Sequence, residues 1–139
     1  MGEVRATVVL ENAVDRELAS RGALAGAEVR RVDADLLVDT GAMMVLLPQD
    51  MVEALGLRAM RNVVVTLADD RKAELPIAGP LVLTAFGRAM HTDCLVGPPR
   101  CEPLLGQLVL EELDLVVDPA RHQLTVNPES PFLPSIKLK

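Results

Sequence analysis

The chain has 139 residues, half of them hydrophobic, with only two Phe, no Tyr or Trp and a formal net charge of -6. That length predicts a single domain with a sizeable core of Val, Leu, Ala and Met. The acidic balance and the scarcity of stacking side chains exclude the usual nucleic-acid binder and argue against an anionic membrane surface.

Val4 to Glu11 alternates, with Val4, Ala6, Val8 and Leu10 on one face, and reads as a half-buried strand. Asn12 is placed to cap a short helix in which Val14 and Leu18 share a face, and Gly22 ends it. Ala23 to Glu28 is a connector. Val29 to Val38 returns as strand, with Val32, Ala34, Leu36 and Val38 facing one way and Asp33, Asp35, Leu37 and Asp39 the other. Met44 to Leu47 is a short buried strand. Pro48 then opens a helix with Met51, Val52 and Leu55 on its apolar face and Gly56 as its cap.

Asn62 to Ala68 and Arg71 to Ile77 predict a hairpin whose tip is Ala68-Asp69-Asp70-Arg71. Gly79-Pro80 is expected to break it, and Leu81 to Phe86 and Arg88 to Val96 form a second strand pair about Gly87. Gln107 to Leu113 is helix-like, with Val109, Leu110 and Leu113 on one face. Leu115 to Asp118 is a short strand, Asp118-Pro119-Ala120-Arg121 a turn, and His122 to Val126 a last strand. The whole reads as a mainly β domain with two short helices over residues 1–126. Residues 127–139 form a Pro-rich C-terminal arm, extended rather than helical.

No stretch approaches the ~18 consecutive apolar residues of a membrane span. The first residues lack a basic region followed by an apolar one, so the expected setting is soluble and cytoplasmic. Cys94 and Cys101 are spaced too widely for a Cys-x-x-Cys pair. They read as reduced thiols, a disulfide across the Pro98-Pro99 loop being the alternative that a reducing compartment disfavours. His91 and His122 read as surface residues. No Gly-rich phosphate loop or Gly-x-Ser-x-Gly elbow occurs, and the expectation is no cofactor and no metal.

The chemistry is concentrated in Leu36-Leu37-Val38-Asp39-Thr40-Gly41-Ala42. An apolar strand delivers a carboxylate to a tight Thr-Gly turn, where a charged group needs a partner or must give up its charge. The alternative is an Asp that merely opens a surface turn. A second feature follows later in the chain: Leu104-Leu105-Gly106, after a Pro- and Cys-containing loop, leads directly into the Gln107 helix.

Together these two features resemble the retroviral-like aspartic proteases, the retropepsins, over most of the chain from Val29 to Val126. The resemblance implies a closed β-barrel of the acid-protease fold, one lobe per chain, with Asp39 as the catalytic residue. It implies supporting roles for Thr40, Gly41, Ala42, Leu105 and Gly106, the two glycines allowing close backbone approach. The hairpin corresponds by its order in the chain to the flap over substrate, with Leu67, Ala68, Asp69, Asp70, Arg71 and Lys72 at its tip. With one Asp-Thr-Gly per chain, the expected enzyme is a symmetric homodimer hydrolysing a peptide or protein substrate with paired Asp39 carboxylates. The alternative is a non-catalytic dimerisation or peptide-binding module of the same fold. Two features depart from the viral pattern. Met43 and Gln107 stand where those enzymes carry an ion pair, and the flap tip is acidic rather than Gly-rich.

Overall fold

A computed structural model describes residues 2–138. The chain opens with β1 (Arg5–Asn12), in which Ala6, Val8 and Leu10 point into the core and Thr7 points out. Asn12 ends the strand and caps α1 (Ala13–Ser20), its side-chain oxygen accepting from the Asp15 N–H at 3.0 Å. The Asn12 amide reaches the other way and donates to Leu55 O at 2.9 Å, so one side chain ties two helix ends together. Gly22, at φ 76, follows the helix in the left-handed conformation that glycine adopts without cost.

The apolar face expected of α1 is not what packs. Val14 and Leu18 are exposed, and the helix instead buries Ala13 and Asp15. Asp15 can be buried because Arg30 donates to both of its oxygens, at 2.8 and 2.9 Å. Arg30 thereby holds the Asp15 carboxyl below the usual carboxylate range.

β2 (Arg31–Val38) runs antiparallel to β1, pairing Ala6 with Leu36 and Leu10 with Val32. β3 (Val45–Pro48) and α2 (Gln49–Ala54) follow, with Val52 and Leu55 buried. β4 (Arg58–Thr66) and the long β5 (Lys72–Ala85) make the hairpin, and β6 (Arg88–Gly97) returns from a tight turn at Phe86 and Gly87. β7 (Leu104–Leu105), α3 (Gln107–Glu112), β8 (Leu115–Asp118) and β9 (Gln123–Val126) complete the chain.

The main sheet runs β1-β2-β7-β3-β6-β5-β4, and an additional β1–β5 pairing closes it into a ring with β4 outside the closure. Inside sit Leu10, Leu36, Leu47, Leu55, Leu81, Leu83, Leu105 and Leu113, all but inaccessible to water. Neither Phe is in the core; Phe86 and Phe132 are both exposed. An aliphatic core is what the composition predicts, and a mainly β fold is what the alternation along the chain predicts.

Three details differ from expectation. Among the described residues there are three α-helices rather than two, because α1, α2 and α3 all form complete hydrogen-bonded turns. Gly79-Pro80 does not break the hairpin strand. β5 continues through it, and the pairing with β6 slips between Ala78 and Leu81, a place where a strand tolerates proline.

The third concerns the C-terminal arm, which is not simply extended. It makes a turn in which Ser130 N donates to Asn127 O and is then stitched to the body. Buried Arg88 donates to the carbonyls of Leu113, Asp114 and Ser130, while the Asp114 carboxylate accepts from Asn127 Nδ2 and Ser135 N. Those donors lower the affinity of Asp114 for its proton.

No helix of the described chain is long and apolar enough to cross a membrane. Both cysteines are free thiols, and burial pushes the Cys94 thiol up to about 12. His91 and His122 are exposed, as expected.

Candidate active site

β2 ends at Val38, whose N–H still donates to Val4 O at 2.8 Å just ahead of β1, while the amides on either side of it turn to a second partner. Leu37 N donates to Pro103 O and Asp39 N to Leu105 O, each at 3.0 Å, in the parallel pairing that sets Leu37 beside Leu104 and Val38 beside Leu105. The two segments that the sequence singles out separately are thus neighbours in space. β7 is wedged between β2 and β3, with Leu104 opposite both Leu37 and Leu46.

Within the turn, Gly41 N donates to Asp39 Oδ1 at 2.9 Å, and Ala42 N donates to Asp39 O at 3.1 Å. The first bond aims the half-buried carboxylate; the second closes the backbone. A Cβ at Gly41 would stand 3.3 Å from that same carboxylate oxygen, so a side chain there would press on the group being aimed. Thr40 and Gly41 are exposed and Ala42 is half-buried.

Gly106 is held more tightly still. A Cβ there would lie 2.5 Å from Met44 O and 2.7 Å from Met43 O. The glycine lets the β7–α3 junction press against the chain just beyond the Asp39 turn, and α3 exploits the contact. Its first amides, Gln107 N and Leu108 N, donate to Ala42 O at 2.8 Å and Met43 O at 3.0 Å. Sequence reading leaves this pair of bonds invisible, because backbone atoms make both and any residue but proline could stand at 107 or 108.

Beside the turn lies an open hollow of about 320 Å³ lined by Thr40, Gly41, Ala42, Met43, Gln107, Leu108 and Glu111. Met43 is 69% exposed and Leu108 47%, an apolar pair standing in water next to a carboxylate. Gln107 Nε2 is directed to Glu111 Oε1, at 3.4 Å. Met43 and Gln107, the residues at the viral ion-pair positions, therefore line the same hollow.

The hairpin tip is elsewhere. Leu67 to Arg71 form a turn in which Asp70 N donates to Leu67 O and Leu67 N to Arg71 O, with Asp70 at φ 66; Lys72 begins β5. None of Leu67, Ala68, Asp69, Asp70, Arg71 or Lys72 lines the hollow beside Asp39. A larger groove of about 490 Å³ runs under the base of the hairpin between Val52, Leu57, Leu75 and Val96. Among the described residues no cluster of three or more His, Cys, Asp or Glu side chains is placed to hold a metal ion.

Residues 25–119, well over half the chain, match the aspartyl protease family, and the chain belongs to that family. Its fold is that of the retroviral enzymes. A solved structure of EIAV protease complexed with the inhibitor HBY-793 superposes with a TM-score of 0.55 at 17% sequence identity, covering 81% of this chain and 88% of that one. Curated proteins yield no match.

Proposed function

We propose that this protein is an aspartic endopeptidase that works as a symmetric homodimer, each protomer supplying one Asp39. The observation that carries this reading is the state of the Asp39 turn. Its carboxylate is half-buried and aimed by the Gly41 N–H, its backbone is clamped by Leu105, and exposed Met43 and Leu108 flank it. Such wiring suits a group that must be held in place, and the apolar pair beside it suits a surface that a second copy covers.

The chemistry requires two carboxylates sharing a proton, one activating water and the other protonating the scissile carbonyl oxygen. A two-fold axis beside the hollow brings two Asp39 groups together, and two like charges a few ångströms apart favour a singly protonated pair. Substrate is a peptide or protein segment that binds under the β4–β5 hairpin, Leu67 to Lys72 acting as flap tip. Thr40, Gly41, Ala42, Leu105 and Gly106 keep the two turns in register. The reading includes a cytoplasmic setting.

A peptide-library digest at several protein concentrations tests it. Specific activity is expected to fall on dilution in step with the loss of dimer in sedimentation, and Asp39→Asn is expected to cleave nothing while remaining folded. Full turnover by a sedimenting monomer would sink the homodimer. A folded, dimeric wild type that cleaves no peptide would favour the non-catalytic binding module.

A further inference from the structure

We propose that Arg5 is a positioning residue for the Asp39 turn, its guanidinium bridging Asp35 and Glu102 across the seam between β2 and β7. This role rests on the endopeptidase reading above, since that reading makes Asp39 the reacting group. Asp35 and Glu102 lie on opposite sides of the seam. Leu37 pairs with Leu104 in parallel register, and continuing that register back by two residues brings Asp35 level with Glu102. Two carboxylates facing each other across neighbouring strands repel and would pry the strands apart.

Arg5 converts this repulsion into a clamp. Its Nε donates to Asp35 Oδ2 at 2.7 Å, and Nη1 and Nη2 donate to the two Glu102 oxygens at 3.0 and 3.2 Å. The fork on Glu102 is bidentate, a geometry the ammonium of lysine cannot supply. Glu3 stands 3.5 Å from Arg5, and Arg31 is engaged by Asp33 on β2. Cys101, next to Glu102, has its thiol pushed up by burial and by the nearby carboxylates of Asp50 and Glu102.

The seam needs such help because β7 is only Leu104–Leu105. Its bonds to β2 include the pair that holds Asp39 N on Leu105 O and Leu37 N on Pro103 O. If Asp35 and Glu102 part, these bonds are the next to loosen, and the carboxylate loses its fixed backbone.

The sign of the pH response separates this role from general support. Arg5 lowers the proton affinity of Glu102, so the clamp is intact above the ordinary carboxylate range and weakens as pH falls through the lowered folded value. Without the guanidinium, the facing carboxylates repel until one takes up a proton, so the seam tightens as pH falls.

Amide hydrogen exchange of Leu37 and Asp39 in the full chain reads the seam directly. Arg5→Gln is expected to lower their protection factors about fivefold at neutral pH, the upper range for exposed ion pairs. Acidification to roughly pH 4, into the ordinary carboxylate range, is expected to restore much of that protection in the variant. Adding Glu102→Gln, which removes the facing charge, is expected to restore it at neutral pH. In peptide cleavage the same variants are expected to lower and then recover kcat with KM unchanged. Unchanged protection in Arg5→Gln, or no rescue by the second substitution, overturns the clamp and leaves the endopeptidase reading intact. If instead the exchange pattern holds and the wild type cleaves nothing, the clamp stands and the endopeptidase reading falls.

Discussion

Asp39 and Asp69 occupy turns of nearly the same local chemistry. Each carboxylate accepts from the backbone N–H two residues on, Gly41 N at 2.9 Å in one case and Arg71 N at 3.1 Å in the other. What differs is everything outside the turn. Around Asp39 the backbone bonds lead to Leu105, Gln107 and Leu108, far along the chain; around Asp69 they stay within Leu67 to Arg71. Asp39 is half-buried against a ring of strands, whereas Asp69 is exposed and paired with its neighbour Arg71. A turn motif specifies how an Asp bonds locally. Distant segments packed upon it decide how rigidly that Asp is held.

The largest expected effect sets these two residues side by side. Asp39→Asn is expected to take peptide cleavage below detection, a loss in kcat/KM of roughly 10⁴-fold or more, the upper end for removing a positioned acid–base group. Asp69→Asn, losing only a local bond, is expected to stay within about twofold. Comparable losses at both positions would erase the distinction.

Next in size is Gly106→Ala, which probes the long-range contact alone. A methyl group cannot fit between the β7–α3 junction and the Met43 and Met44 carbonyls. Forcing the backbones apart is expected to cost about 1–3 kcal/mol. A drop in Tm together with faster exchange of the Gln107 and Leu108 amides would show it.

A smaller effect concerns the C-terminal arm. Ser135 N and Asn127 Nδ2 lower the proton affinity of Asp114 in the folded state. The latch is therefore fully present above the ordinary carboxylate value and is lost as pH falls through the lower folded one. NMR of Ser135 is expected to show the arm releasing in strong acid while the ring persists, and Asp114→Asn is expected to weaken the latch at neutral pH. Smallest of all is Asp70→Gly. Asp70 holds the left-handed place of a three-residue hairpin loop, where glycine relieves steric cost but adds chain entropy. The two terms nearly cancel, and stability is expected to move by less than about 0.5 kcal/mol.

Local signals carried much of this fold. The alternation of Ala6, Val8 and Leu10, the Asn12 cap and the Gly56 cap all name structure within a few residues of themselves, and all appear where expected. The pairing of Asp-Thr-Gly-Ala with Leu104-Leu105-Gly106 was legible because both segments are unusual strings. Long-range balance was less visible. Val14 and Leu18 share a helical face, yet α1 turns Ala13 and Asp15 inward because Asn12 and Arg30 fix its orientation. Proline in β5 reads as a break, although a register slip accommodates it. Asp35 reads as an exposed acid on a strand, and only the fold brings it and Glu102 onto the same Arg5 guanidinium. No periodicity could show the β1–β5 contact that closes the ring, since each strand already has another partner.

The length of β5 carries a mechanical consequence. From Lys72 to Pro76 it pairs only with β4, but at Ile77 and Ala78 it pairs with β4 on one side and β6 on the other. Those two residues are buried, and beyond them the strand is a stave of the ring. The hairpin is thus a cantilever whose root is cast into the wall, with Ile77 and Ala78 as its fulcrum. Residues can be added or removed at the free end without touching the ring. A change at the root alters how the whole beam moves, and its stiffness is set there, well away from the free end.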